Sequence, residues 1–209
     1  MTKQNKIILA AVAVVAVLGV GVLTFTKAGT QGSNLTGYLN LNAQKVSTEP
    51  AANTLTPINR AETAKLLVTK AGITLVDVNR AKNLPKFSDV DPSNPYYVYI
   101  ETAVVKNIMT AYKDPNGNLS GIFGTTDLVR RSEFAKLVVN TFHLVINTAN
   151  GPHFKDVSEN TWFYSFVETL YHWSVVKPDA NGNFNAADTM TKLEADTWTT
   201  KALNPVAKN

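Results

Sequence analysis

The sequence contains no cysteine, and this absence excludes several kinds of site at once. With no Cys among its 209 residues, the chain has no disulfide, no thiolate metal site and no cysteine nucleophile. It has three histidines, and none of them shows the His-x-x-x-His spacing of zinc-binding helices. A P-loop, a dinucleotide-binding fingerprint and a nucleophile elbow are also missing from the sequence. We therefore predict no metal site, no cofactor and no catalytic residue.

Charged residues are scarce as well, and they form no basic run. They make up 17% of the chain, against 44% for hydrophobic residues, a composition typical of a globular protein. The net charge is +4, and three of these positive charges lie within residues 1–28, which contain no acid. Because the remainder is nearly neutral and has no Lys/Arg-rich cluster, we expect no nucleic acid partner.

Residues 7–25 form one apolar stretch that follows Lys3 and Lys6. As a helix this stretch would span roughly 28 Å, close to the ~30 Å hydrocarbon core of a bilayer. The two lysines would keep the N-terminus in the cytoplasm and place the rest of the chain outside. We predict that residues 1–28 are a membrane anchor or a cleaved signal peptide, and the length of the stretch favours the anchor. Residues 29–54, rich in Gly, Ser, Thr and Asn, are predicted to be a flexible tether.

A short pattern recurs through the rest of the chain. It opens with Phe-x-Asp-Val at residues 87–90 and again at residues 154–157. Each copy continues through an aromatic-rich amphipathic stretch to an Asn-Gly turn. A closing motif, in which a basic residue stands two positions before Glu, ends the copies at residues 130–133 and 191–194, and it also occurs ahead of the first full copy at residues 59–62. Such self-similarity indicates a repeat architecture.

Apolar residues recur with the helical period in five segments of this region. The segments lie at about 59–71, 95–108, 131–145, 161–174 and 192–203. No pair of these helices has enough apolar surface to stand alone, so we expect the copies to stack on one another.

The order of these motifs resembles the S-layer homology (SLH) domain. In that family Phe-x-Asp-Val, an aromatic residue and a helix precede an Asp-Gly-x-Phe turn, and Thr-Arg-Ala-Glu starts a second helix. The resemblance implies a mainly α fold, in which tandem helix-loop-helix repeats form a pseudo-threefold bundle, here preceded by the N-terminal hydrophobic helix. We assign a partial repeat to residues 55–80 and full repeats to residues 81–148 and 149–209.

The resemblance also implies a binding site. In the family, the basic residue of the closing motif contacts an anionic cell-wall polysaccharide in grooves between repeats, and here that residue is Arg60, Arg131 or Lys192. Arginine suits this role because its planar guanidinium binds a carboxylate through two hydrogen bonds. The alternative is a salt bridge to Asp89, Asp156 or a neighbouring Glu.

Two aromatic residues, Tyr96 and Trp162, lie at the family's aromatic position and are candidates for stacking on a sugar. Burial in the core is the more common role of such residues, and we expect it for both. The family glycine after the first helix is replaced by Asn107 in one copy and by Ser174 in the other. Since glycine allows close approach, these replacements predict a less open groove.

Local spacing also predicts helix caps. Thr191 with Glu194 matches a capping box, and Asn59 with Glu62 matches one with Asn as the cap. The Asp-x-Asn-Gly-Asn segments lack the closing Glu of an EF-hand, so we predict plain turns there.

The sequence thus predicts an extracytoplasmic envelope protein, either membrane-anchored through residues 7–25 or secreted. Its expected function is noncovalent attachment to an anionic cell-wall polysaccharide or an S-layer component. The alternative is a structural envelope protein that binds a second protein chain through its repeat grooves or through the bundle position left open by the missing first helix. An enzyme that acts on envelope glycans is the third hypothesis.

Overall fold

The computed structural model describes residues 55–80, 84 and 87–208, and these residues are mainly helical. They all belong to one compact unit, Ser47–Asn209. Their five helices are α1 (Arg60–Lys70), α2 (Tyr97–Val105), α3 (Arg131–Thr141), α4 (Tyr164–His172) and α5 (Lys192–Leu203). The described residues contain isolated β-bridges but no strand.

The five helices lie where the apolar period predicts them, and several end a few residues earlier than expected. The predicted anchor and tether, residues 1–28 and 29–54, lie outside the described residues. Among the described helices, none combines the length and apolarity needed to cross a membrane.

Capping interactions start α1 and α5. Asn59 Oδ1 accepts a hydrogen bond from the Glu62 N–H at 2.9 Å, and the Glu62 carboxylate accepts one from the Asn59 N–H at 3.2 Å. Thr191 and Glu194 make the same reciprocal pair at 3.2 and 3.1 Å. At α3 only the half supplied by the glutamate forms, because the guanidinium of Arg130 has no acceptor atom.

Four of the helices end on a residue with positive φ. The residue after each of these donates its N–H back to the last helical turn, as in a Schellman motif. Asn107 (φ 56°) and Ser174 (φ 57°) are two of the four residues, and they stand where the family has glycine. Their backbone keeps the conformation for which glycine is used, at a cost of about 1 kcal/mol each. The remaining two are Gly72 (φ 63°) and His143 (φ 52°).

A closed ring of hydrogen bonds joins the segments that precede α1, α3 and α5. The Ile58 N–H donates to the Met190 carbonyl at 2.9 Å, Met190 donates to Val129 at 2.8 Å, and Val129 donates to Ile58 at 3.1 Å. The side chains of Ile58, Val129 and Met190 are 3%, 1% and 0% exposed. Burial of their apolar surface therefore stabilises the ring in addition to its hydrogen bonds.

A second set of hydrogen bonds joins the same three segments, with donors and acceptors in the reverse cyclic order. The first residue of each helix donates its N–H over 2.9 Å, from Arg60 to Asp127, from Arg131 to Asp188 and from Lys192 to Thr56. The ring therefore gathers the N-termini of α1, α3 and α5 around one centre, with a basic residue at the start of each.

Helix α5 has a polar face where α1 and α3 have an apolar one. Helix α2 packs against α1 and α4 against α3, whereas α5 packs mainly against α1 and α3 and has no such companion among the described helices. Val68 and Val139 are 1% and 2% exposed, but the equivalent residue of α5 is the exposed Thr200. Lys70 Nζ hydrogen-bonds Thr200 Oγ1 at 2.9 Å and pairs with Asp196 at 2.8 Å.

Both Asp-x-Asn-Gly-Asn segments are tight turns. In each, the first Asp accepts hydrogen bonds from the backbone N–H groups two and four residues later, at 2.9 Å for Asp114 and 2.8 Å for Asp179. Gly117 and Gly182 have φ of 85° and 88°, which explains glycine at these positions.

Candidate functional site

Each arginine of the closing motif holds a loop of the following repeat. Arg60 Nε donates to the Phe123 carbonyl at 2.7 Å, and Arg131 Nε donates to the Phe184 carbonyl at 2.9 Å. Arg60 Nη2 donates in addition to the Thr110 carbonyl at 2.7 Å. These bonds orient the guanidinium groups, and they give both arginines a role in packing the repeats together.

Two of the three basic residues are neutralised by a glutamate of the neighbouring repeat. Arg131 pairs with Glu194, and Lys192 Nζ lies 2.7 Å from Glu62 Oε1. Arg60 forms no ion pair within the described part of the chain, and Glu133, the equivalent glutamate, is exposed. The salt-bridge alternative therefore describes two positions, and the partners are the capping glutamates.

The aspartates of the two Phe-x-Asp-Val motifs accept hydrogen bonds from backbone N–H groups and do not pair with the basic residues. Asp89 accepts hydrogen bonds at 2.7 to 3.1 Å from the N–H groups of residues 123–125. Asp156 accepts them from Phe184 and Asn185 at 2.6 and 2.7 Å. Burial opposes ionisation of Asp89, but the backbone donors outweigh it and hold the pKa of Asp89 below its ordinary value.

A cavity of about 420 Å³ lies beside the unpaired Arg60. We call it the Arg60 groove. It is bounded by the N-terminus of α1, the end of α2, one face of α3 and the residues before α4. Its lining residues are Arg60, Asn107, Ile108, Met109, Thr110, Val129, Glu133, Lys136, Leu137, Asn140 and Trp162.

Trp162 is 57% exposed in this groove. The expectation that it packs in the core is wrong, because the adjacent Phe163 takes the inward position and packs against the core. The two rings meet edge to face, with centroids 5.4 Å apart. The indole therefore presents a wide face to solvent beside Arg60. Asn107 also lines the groove.

A second cavity, of about 310 Å³, lies at the equivalent position between α5 and α1. We call it the Lys192 groove. Tyr96 lines it and also packs against the core, so the structure places Tyr96 and Trp162 in different grooves. Its lining residues are Ile58, Glu62, Lys65, Leu66, Thr69, Tyr96, Lys192 and Asp196. Arg131 lines neither groove.

Sequence reasoning missed Lys136, Asn140 and Glu133 as lining residues of the Arg60 groove. All three are exposed and lie on one side of α3, and a polar helix face usually indicates only contact with solvent. The available signal was their spacing from one another, three residues from Glu133 to Lys136 and four from Lys136 to Asn140, since residues so spaced share a helix face. Among the described residues, no cluster of His, Cys, Asp or Glu could hold a metal ion.

Comparison with known families identifies one repeat directly. Residues 153–195 match the model of the S-layer homology domain. The matched segment begins at His153 and includes the second Phe-x-Asp-Val motif, Trp162, the Asn-Gly turn and the closing motif. No curated protein matches the chain. The resemblance predicted from the sequence is thereby confirmed.

Proposed function

We propose, from the premise that this chain is an S-layer homology domain protein, that it attaches noncovalently to an anionic cell-wall polysaccharide through the Arg60 groove. SLH domains anchor proteins to polymers of the cell wall and are binding rather than catalytic modules. They also imply association with the cell envelope. The observation that carries the proposal is an unpaired guanidinium beside an exposed indole in a cavity of about 420 Å³.

The chemistry of the groove suits a carboxylated sugar. Arg60 is oriented by its bonds to two carbonyls and lies 4.6 Å from the ring centroid of Tyr112, yet it retains N–H groups for a carboxylate. Lys136 supplies a second cation. The indole of Trp162 offers an apolar face with a polar edge, a combination suited to a sugar ring. Asn140 adds an amide that both donates and accepts hydrogen bonds.

The arrangement of the three helix N-termini supports a wider assignment. We propose that residues 55–80, 81–148 and 149–209 are one partial and two full SLH-like repeats of a pseudo-threefold bundle, because their pre-helix segments bond cyclically. We further propose that residues 1–28 export this module, which then works at the cell envelope on a membrane anchor or as a secreted protein.

A protein partner that completes the bundle receives less support. Such a partner would cover the face of α5 that lacks a companion helix. That face carries Asp196 and Thr200 where α1 and α3 have buried Ala and Val, and Lys70 already satisfies both side chains. Burying these polar groups would bring a desolvation penalty.

The test is a pull-down with purified sacculi, before and after removal of the anionic polymer. We expect the wild-type protein to bind only the sacculi that retain the anionic polymer. Trp162→Ala and Lys136→Ala should each lower the affinity by about tenfold or more, since each change removes roughly 1.4 kcal/mol or more of ligand contact. Neither side chain forms a hydrogen bond or ion pair within the described residues, so both variants should fold normally.

The matched control is Arg80→Ala, which removes a cation whose side chain is 90% exposed and lies outside the grooves. It should bind like wild type. Unchanged binding by Trp162→Ala and Lys136→Ala, or equal binding to polymer-free sacculi, would show that the Arg60 groove is not the attachment site.

A further inference from the structure

The three basic residues of the closing motif stand in equivalent surroundings, and each has one equivalent glutamate. Helix register aligns Arg60, Arg131 and Lys192, and it aligns Glu62, Glu133 and Glu194. In the cyclic order in which the first residues of the three helices donate their N–H groups, the glutamate next to Arg131 is Glu194, the one next to Lys192 is Glu62, and the one next to Arg60 is Glu133. The same ion pair is therefore available three times.

The structure forms this ion pair twice. In the pair of Arg131 with Glu194 the side chains are 15% and 37% exposed, and in the pair of Lys192 with Glu62 they are 33% and 21% exposed. Arg60 and Glu133 both line the Arg60 groove, but they are not paired. One groove thus keeps a cation that is free to meet an external anion.

We infer that Glu194 and Glu62 take the place of a ligand carboxylate at two of the three equivalent basic residues. Each chain therefore binds a single anionic glycan segment, in the Arg60 groove. The inference rests on the proposed function, because it takes the ligand to be an anion that contacts the basic residue. An internal carboxylate is held next to its cation at high effective concentration, and it competes with any external one.

Tyr112 explains why Arg60 escapes the pairing. The Tyr112 hydroxyl donates to Asp127 Oδ2 at 2.8 Å, which fixes the ring beneath the guanidinium at 4.6 Å. Together with the bond from Nη2 to Thr110, this contact holds Arg60 away from Glu133. Counting from the equivalent turn aspartates, Tyr112 corresponds to Lys177, so Arg131 has no tyrosine ring at this position.

Besides the pairing with Glu194, the bulky side chain of Trp198 closes the groove beside Arg131. Leu137 lines the Arg60 groove, and the equivalent residue of α5 is Trp198, which is 6% exposed. The Arg131 guanidinium lies 5.0 Å from the centroid of Trp198 and 5.0 Å from that of Phe184. The pairing and the indole together leave Arg131 with little access to an external ligand.

The experiment counts binding sites on the full-length protein by calorimetric titration with soluble anionic oligosaccharides released from purified sacculi. Wild type should bind about one oligosaccharide per chain. The double change Glu194→Gln and Trp198→Leu should raise the number toward two, because Gln can still cap α5 but no longer neutralises Arg131, and leucine is the residue that lines the Arg60 groove at the equivalent position. Glu62→Gln should add a weaker second site in the Lys192 groove, since lysine lacks the bidentate geometry of arginine.

Glu159→Gln is the matched control, a carboxylate-to-amide change at an exposed residue outside the grooves, and it should leave the number at about one. Two or more sites in wild type would overturn the inference while leaving the proposed function in place. A count that stays at one both in the Glu194→Gln and Trp198→Leu double variant and in Glu62→Gln would do the same. No binding by wild type would overturn the proposed function itself, and the inference with it.

Discussion

Two glutamates at equivalent positions in α2 and α4 differ in how their buried carboxyl groups are satisfied. Glu168 is 1% exposed, and it accepts hydrogen bonds from the His153 N–H at 3.0 Å and from the His153 ring. Glu101 is also 1% exposed, but its Oε2 has no hydrogen-bond partner. Burial without a partner raises the pKa of Glu101 from 4.5 to about 7.

This raised pKa predicts a loss of stability as the pH rises from about 4.5 to about 7. The contribution of Glu101 is fully present below pH ~4.5, where the carboxyl is protonated in both states, and it is lost as the pH rises through about 7. The free energy of unfolding should fall by up to about 3 kcal/mol over this window. Glu101→Gln should abolish the fall and stabilise the protein at pH ~8. Urea denaturation at a series of pH values measures both effects.

Glu168→Gln is the matched control for this change. It should destabilise the protein by about 1–3 kcal/mol at neutral pH, because it removes a charged acceptor that His153 uses twice. A pH profile of stability that is the same for wild type and Glu101→Gln would contradict the assignment.

At the scale of the helix, the residue after each C-cap decides how well the helix ends. Asn adopts the left-handed conformation more readily than other residues with a Cβ, because its side chain can hydrogen-bond locally. Ser174 and His143, at φ 57° and 52°, do so at a higher cost. The chain therefore holds strain at the ends of α3 and α4 that glycine would remove.

Ser174→Gly should raise the free energy of unfolding by about 1 kcal/mol. His143→Gly should have an effect of similar size, and Asn107→Gly a smaller one. Ser174→Ala is the control, because alanine keeps the Cβ and should bring no gain. Chemical denaturation of the four variants orders the effects. A Ser174→Gly protein no more stable than Ser174→Ala would mean that the left-handed conformation carries no measurable strain.

At the scale of the whole molecule, the ring of Ile58, Val129 and Met190 joins three segments, and α5 presents a polar face where α1 and α3 pack a companion helix. Burial of these polar side chains against another chain would bring a desolvation penalty. We therefore expect the protein to be a monomer.

Restoring the apolar pattern of α1 on α5 should reverse this. The double change Asp196→Leu and Thr200→Val introduces apolar side chains at the positions equivalent to Ala64 and Val68. We expect wild type to remain monomeric and the double variant to self-associate with rising concentration, as measured by size-exclusion chromatography with light scattering. The conservative pair Asp196→Asn and Thr200→Ser should stay monomeric. Dimerisation of wild type would instead favour a second chain in the open position.

Local features were predictable from the sequence because the interactions that form them join residues close together in the chain. The apolar period locates all five helices, since each element has its own buried face. The spacing of Asn59 from Glu62 and of Thr191 from Glu194 predicts the caps, because these bonds join residues three apart. The exposure of Trp162 was not predictable, since either Trp162 or the adjacent Phe163 could have turned inward.

By itself, the sequence determined the repeat, the helices with their caps and turns, and the resemblance to the S-layer homology family. Only the tertiary structure decided which basic residue is free. The bonds that hold Arg60 reach Thr110 and Phe123, residues 50 and 63 positions away, and the carboxylates that neutralise Arg131 and Lys192 are 63 and 130 positions away. The motif is nearly the same at all three positions, and contacts between repeats make one of them a candidate binding site.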